Sequence, residues 1–153
     1  MSFSVDAASA GMLRELITGG GAIVAGRRPF DETDGWGDNH PLGAPVVDGT
    51  HRPPLDAAKQ RFPRTTFTSN VPEAITAAQR IAGGKFVRIA SANIVQQALN
   101  LGVVDELCVS LMPVLFGTGI RYFGDLVDGH VKLDDPVVVQ GTRALHLRYR
   151  VRR

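Results

Sequence analysis

Residues 85–119, KFVRIASANIVQQALNLGVVDELCVSLMPVLFGTG, constrain the fold more than any other stretch of the chain. Their order predicts a strand, a tight turn, a helix and a second strand. Residues 86–89 are short and apolar or β-prone, which is typical of a buried strand. Apolar residues then recur at helical spacing over 94–99, and Gly102 stands where a helix C-cap belongs. Residues 107–116 predict the second buried strand.

The turn between the first strand and the helix consists of Ala90, Ser91 and Ala92. Small residues let backbone amides approach a ligand, and the free N–H groups of a helix N-terminus attract an anion. The alternative is plain packing, because α/β proteins contain many such turns. The pattern alone favours packing, so a phosphate site here is a hypothesis.

Further helices and strands continue this alternation on both sides. A helix is predicted over 7–18, capped by Asp6 or Ser4, and another begins at Asn70. The remaining predicted strands are 22–25, 45–50, 65–68, 137–140 and 145–151. We therefore predict an α/β fold with a mostly parallel central sheet, helices on both faces and an antiparallel C-terminal hairpin at one edge. No repeat or linker is visible, so residues 1–153 are taken as one domain.

Composition narrows the functional class. The net charge of +2 is too small to indicate nucleic-acid binding, and no apolar run approaches the ~20 residues of a membrane span. The N-terminus has no signal-peptide pattern, which predicts a cytoplasmic protein. The single cysteine, Cys108, falls within a predicted strand and is expected to be a small core residue. The alternating arginines near the C-terminus predict the solvent face of an edge or hairpin strand.

Two other groups of residues invite a functional interpretation. Gly26, Arg27 and Arg28 follow a predicted strand and could bring a guanidinium to a phosphate, although a solvated basic turn is favoured on this evidence alone. Trp36 is the only tryptophan and lies in a predicted loop, where it could be a lid over a substrate or a hydrophobic plug. The histidines show no metal-ligand spacing, so no metal is expected.

Three segments together resemble the dihydrofolate reductase-like family, in its branch named after the C-terminal reductase domain of the bifunctional riboflavin-biosynthesis deaminase-reductase. They are GAIVAGRRPFD at 21–31, APVVDGTHRPP at 44–54 and ANIVQQALNLGVVDELCVSLMPVLFGTGIRYF at 92–123. The third is the most specific, and the resemblance extends over essentially the whole chain from Val5. It implies a dihydrofolate reductase-like three-layer fold and an oxidoreductase that uses NADPH.

The resemblance also implies where the cofactor binds. Residues after the early strand would form the pocket for the adenosine 2′-phosphate. Residues at the end of the next strand would do similar work, and the later helix start would take the pyrophosphate. These residues are Gly26, Arg27, Arg28, Thr50, His51, Arg52, Ala90, Ser91, Ala92, Asn93 and Ile94. An arginine fork suits a 2′-phosphate because it can donate two parallel hydrogen bonds. The resemblance thus favours phosphate binding by Arg27 and Arg28 over a solvated basic turn.

The implied reaction is hydride transfer to a pterin, to a ribosylaminopyrimidine such as 5-amino-6-(5-phosphoribosylamino)uracil, or to a similar small molecule. Homodimers are implied as well, formed through a sheet edge to which the C-terminal strand could contribute. No residue of the chain is a convincing general acid. The alternative is a non-catalytic nucleotide-binding or dimerisation relative of such reductases.

Three departures from the family pattern bear on these expectations. Ala90-Ser91 replaces the usual Gly-Gly, which matters if positive φ is needed there, and Pro29 replaces a common threonine. Family members also begin with another strand, central in the sheet, before the first helix. The chain starts almost at that helix, so we expect the functional protein to be longer at its N-terminus.

Overall fold

The computed structural model describes residues 5–52 and 56–153. Five α-helices and seven strands are present in these residues. In chain order they are α1 Ala7–Gly19, β1 Gly20–Gly26, α2 Arg27–Glu32, β2 Val46–Gly49, α3 Asp56–Arg61, β3 Thr65–Thr68, α4 Val71–Ala82, β4 Phe86–Ala90, α5 Ala92–Asn100, β5 Glu106–Leu111, β6 Val137–Gln140 and β7 Leu145–Arg150. None of these helices is long and apolar enough to cross a membrane.

The strands form two sheets. The first has four strands in the order β3-β2-β1-β4, and every pairing in it is parallel. In its register Ala25 of β1 lies between Asp48 of β2 and Ala90 of β4. The second sheet has three antiparallel strands in the order β5-β7-β6. The α/β class, with a parallel sheet flanked by helices and an antiparallel C-terminal hairpin, is therefore confirmed.

The expectation of one sheet with the hairpin at its edge is wrong in detail. β5 pairs with β7 in the separate antiparallel sheet, and β7 has a neighbour on each side, so the C-terminal strand is not a sheet edge. In the described part of the chain, β4 and β5 each pair on one side only. The sequence pattern could not show this, because strand pairing is a non-local property.

The second predicted buried strand is shorter than expected. β5 ends at Leu111, close to Pro113, which has no N–H to donate to a ladder. Beyond it, Leu115 is 99% exposed and Phe116 is 84% exposed. Cys108 is also exposed, which corrects its assignment to the core.

The main core lies between one face of the parallel sheet and the helices α4 and α5. The sheet presents Ala22, Val24 and Val47 to this core. Helix α4 contributes apolar side chains at helical spacing, including Ala74 and Ala78, and both are fully buried. Its start follows the sequence prediction, because the Asn70 side chain accepts a hydrogen bond of 2.9 Å from the Glu73 amide.

The opposite face of the sheet is covered by α2 and an aromatic cluster. Phe30 of α2 is buried and makes edge-on contacts with Phe62, Phe67 and Trp36. Residues 34–38 form a left-handed turn, in which the φ angles of Asp34, Gly35, Trp36, Gly37 and Asp38 all lie between 50° and 60°. The predicted loop around Trp36 therefore contains a left-handed turn, a backbone conformation that is costly for its non-glycine residues Asp34, Trp36 and Asp38.

Polar contacts connect helix α1 to the rest of the fold, and none of its own residues is buried. Asp6 caps the helix, as predicted, by accepting a hydrogen bond from the Ser9 amide. His146 of β7 is buried and contacts the Ser9 hydroxyl with Nε2 and the Ser110 hydroxyl with Nδ1, both at 2.9 Å. These contacts bridge α1, β5 and β7.

Candidate functional site

A pocket of about 370 Å³ lies at the edge of the parallel sheet where the strands end. Gly26 ends β1, Gly49 ends β2, Ser69 follows β3 and Ser91 follows β4, and all four residues line the pocket. The first three strands are ordered β3-β2-β1, whereas β4 lies on the other side of β1. Ligands of open parallel sheets bind at such a reversal of strand order, outside the carboxyl ends of the strands.

The charge of the lining residues is positive. Arg27, Arg28 and Arg52 line the pocket together with His51, and no aspartate or glutamate among the described residues does so. The helices α4 and α5 also begin here, since Asn70, Val71, Asn93 and Ile94 are lining residues. Helix N-termini carry partial positive charge. The pocket is therefore suited to an anionic ligand, and its position at two helix starts suits phosphate groups.

Arg27 is held at both ends of its guanidinium group. Its Nε donates to the two carboxylate oxygens of Asp31 at 2.6 and 2.7 Å. Its Nη1 donates to the backbone carbonyl of Arg52 at 3.1 Å. The side chain thus joins α2 to the turn after β2, and both segments contribute residues to the pocket lining.

Thr50 fixes that turn. Its side-chain hydroxyl accepts a hydrogen bond from the Arg52 amide and donates one to the Arg52 carbonyl, each at 3.1 Å. Its own amide donates to the carbonyl of Thr68 at the end of β3. Thr50 is only 4% exposed, so it shapes the pocket wall and presents little of its surface to solvent.

Ser91 forms the start of α5 without a side-chain capping bond. Its backbone is extended, with φ −164°, and its hydroxyl makes no capping contact to the helix. A Cβ at Gly26 would lie 3.1 Å from the Ser91 Oγ, so the glycine makes room for this hydroxyl. Neither Ala90 nor Ser91 has positive φ, and the replacement of Gly-Gly therefore introduces no backbone strain.

The structure brings most of the predicted cofactor residues together. Those that line the pocket are Gly26, Arg27, Arg28, Thr50, His51, Arg52, Ser91, Asn93 and Ile94. Ala90 and Ala92 flank Ser91 and do not line it. Trp36 is also outside the lining; it is half-buried and packs on Phe30 and His40. Its role in substrate binding stays a prediction.

Sequence reasoning missed several lining residues. They are Pro29, Gly49, Ser69, Asn70, Val71 and Gln97. A signal for Ser69 and Asn70 was available, because they follow a predicted strand and parallel strands end at a common edge. The sequence pattern around Asn70 indicates only a helix cap.

A second pocket of about 390 Å³ adjoins the first at Asn93. It lies between the start of α5 and the segment 120–125, and Ala92, Gln96 and Arg121 line it. Gln96 anchors the segment by donating to the carbonyls of Arg121 and Tyr122 at 3.1 and 3.2 Å. The two pockets form neighbouring compartments on either side of Asn93.

A buried carboxyl group directly precedes the lining residue Gly49 in β2. Asp48 of β2 is fully buried, and neither of its carboxyl oxygens has a hydrogen-bond partner among the described residues. Burial raises its pKa to about 6, an effect that the charge of Arg27 opposes and that of Asp31 reinforces. Sequence alone placed Asp48 inside a strand and gave no sign of its isolation.

Comparison with known proteins supports the fold assignment. No protein-family profile and no curated protein sequence matches the chain. Solved structures do match. A candidate riboflavin biosynthesis protein from Shewanella sp. PV-4 has a TM-score of 0.71 at 17% identity, over 100% of this chain and 84% of that one. A pyrimidine reductase-like protein from Corynebacterium diphtheriae has a TM-score of 0.59 at 19% identity, over 97% and 82%.

The RibD protein of Acinetobacter baumannii is a third match, with a TM-score of 0.63 at 15% identity. It covers 99% of this chain, which spans 52% of that protein. Identities this low establish the fold alone. The chain thus has the fold of riboflavin-biosynthesis and pyrimidine reductase-like proteins, as the sequence resemblance implied.

Proposed function

We propose that the chain is an NADPH-dependent reductase whose cofactor binds in the pocket at the carboxyl edge of the parallel sheet. The observation that carries this proposal is the composition of the lining, in which three arginines and two helix starts meet and no described residue contributes a carboxylate. A dinucleotide phosphate has three phosphate groups to neutralise, and arginine forks and helix N-termini are the groups that proteins use for this purpose.

Particular residues would hold particular parts of the cofactor. Arg27, Arg28 and Arg52 are the candidates for the 2′-phosphate, because they follow β1 and β2. Ser91 and Asn93 at the start of α5 are the candidates for the pyrophosphate. When bound, the cofactor supplies the hydride, and the protein orients it against the substrate.

The substrate class rests on the resemblance and on the reductase-like proteins that share the fold. We propose a small heterocycle, either a pterin or a ribosylaminopyrimidine of the riboflavin pathway. The second pocket, next to Asn93, offers a compartment beside the cofactor site. The rival is a non-catalytic nucleotide-binding or dimerisation relative, which would bind NADPH without turnover.

The proposal is tested by titrating the purified chain with NADPH and with NADH while following nicotinamide fluorescence. We expect tighter binding of NADPH and loss of that preference in Arg27→Ala. Arg80→Ala is the matched control, because Arg80 is exposed on α4 and does not line the pocket. Absence of NADPH binding by the wild type would refute the proposal, whereas binding without turnover of either substrate class would favour the rival.

A homodimer is also proposed, through apolar surface that the described chain leaves exposed. Leu115, Phe116 and Ile120 are 99%, 84% and 76% exposed. Exposed apolar residues grouped in one segment are typical of protein interfaces. Sedimentation of the wild type at micromolar concentration should give a dimer, and Phe116→Ser should weaken it; a wild-type monomer would contradict the proposal.

A further inference from the structure

Helix α2 carries two arginine–carboxylate pairs of the same spacing with different surroundings. Arg27 pairs with Asp31, and Arg28 pairs with Glu32, each four residues along the helix. Both arginines line the pocket. The effect of Asp31 on Arg27 can therefore be compared with the effect of Glu32 on Arg28 in the same protein.

The first pair alone is part of a longer chain of contacts. Asp31 receives the Nε of Arg27 with both oxygens, and the Nη1 of the same guanidinium donates to the Arg52 carbonyl. Thr50 holds that carbonyl in turn. The second pair stays on the helix surface, where the Arg28 and Glu32 side chains are 76% and 62% exposed.

We infer that Asp31 is a positioning residue that determines specificity for the 2′-phosphate by orienting Arg27. This inference rests on the proposed function of the pocket. Asp31 engages the Nε of Arg27, and the turn after β2 engages its Nη1. The Nη2 group is therefore the part of the guanidinium that is most available to a phosphate. A guanidinium held in this way has already lost its rotamer freedom before a phosphate arrives, so the phosphate does not have to immobilise it.

Asp31 also affects NADPH binding through its negative charge, and this effect weakens binding whereas the orientation of Arg27 strengthens it. A carboxylate near a phosphate site repels the ligand, so its removal could tighten binding through electrostatics alone. Glu32 has the same charge and lies one residue further along the same helix. Comparing the two carboxylates therefore separates orientation from charge, because only Asp31 orients an arginine that reaches the turn after β2.

The experiment measures dissociation constants of NADPH and NADH for the wild type, Asp31→Asn and Glu32→Gln. We expect Asp31→Asn to weaken NADPH binding about fivefold, the most that a single exposed ion pair supports, and to leave NADH within about twofold. Glu32→Gln should leave NADPH binding unchanged or slightly tighter. Unfolding midpoints of the three proteins are measured alongside, so that loss of folding is not mistaken for loss of binding.

A double-mutant cycle supplies the second measurement. Arg27→Lys keeps the charge of Arg27 and removes its planar fork. If Asp31 acts by orienting that fork, Asp31→Asn should cause little further loss of NADPH affinity in a protein that already carries Arg27→Lys. Additive losses, or NADPH binding by Asp31→Asn that equals or exceeds that of the wild type, would overturn the inference. A wild type that does not prefer NADPH to NADH would overturn the proposed function and this inference with it.

Discussion

Replacement of Asp48 by asparagine should change how the stability of the protein depends on pH. The Asp48 carboxyl is fully buried without a hydrogen-bond partner among the described residues, and its pKa is raised from 3.8 to about 6. The folded protein therefore keeps a proton on Asp48 that the unfolded chain releases between these values. Stability supplied by the protonated form is complete at low pH and is lost as the pH rises through 6.

The size of this loss follows from the two pKa values. One pKa unit corresponds to about 1.4 kcal/mol, so the free energy of unfolding should fall by about 2.5 kcal/mol between pH 4 and pH 7.5 through Asp48 alone. The asparagine side chain of the variant has a similar shape and does not ionise. The unfolding free energy of Asp48→Asn, relative to that of the wild type, should therefore rise by about 2.5 kcal/mol between pH 4 and pH 7.5.

The assay is urea unfolding of both proteins at a series of pH values, followed by circular dichroism. The difference between their unfolding free energies is the informative quantity, because the other titrating groups contribute equally to both proteins. A difference that stays constant from pH 4 to pH 7.5 would show that the pKa of Asp48 is not raised in the folded protein. It would mean that Asp48 ionises normally, and hence that water or another donor solvates it.

Three further predictions concern the scaffold and use stability or exchange measurements. Asn70→Ala removes the cap of α4 and should cost about 1 kcal/mol in the same urea assay; a cost near zero would show that the capping bond is unimportant. Gly35→Ala should cost more than about 1 kcal/mol, because Gly35 has φ 59° and its Cβ would lie 2.6 Å from the Phe62 ring; an unchanged midpoint would contradict this. His146→Ala should raise amide hydrogen exchange in α1 more than in α4, since it breaks the contact with Ser9; equal exchange would argue against that contact.

Local signals predicted much of this fold. The strand Thr65–Thr68 and the strand Val137–Gln140 have the bounds that the sequence indicated, and Asn70 caps its helix as expected. These features depend on β-propensity, side-chain capping and glycine stops, which act over a few residues. The pocket was partly predictable for a related reason. Parallel strands end at one edge, so residues after successive strands converge there.

The features that sequence reasoning missed depend on contacts distant in the chain. β5 has the apolar pattern of a buried strand, yet it pairs with β7 in the separate antiparallel sheet and its Cys108 is exposed. The left-handed turn around Trp36 departs from the preference of most side chains and is stabilised by packing on Phe30. Asp48 is fully buried without a hydrogen-bond partner among the described residues, which no local sequence pattern shows.

Binding of NADPH at the carboxyl edge of the parallel sheet can be mapped residue by residue with NMR. Backbone amide shifts of the ¹⁵N-labelled chain would be followed during titration with NADPH. We expect saturable shifts grouped at Gly26, Thr50, Ser91 and Asn93, which line the pocket, and little change in β6 and β7. Shifts absent at saturating NADPH, or grouped on the antiparallel sheet, would show that NADPH does not bind in this pocket.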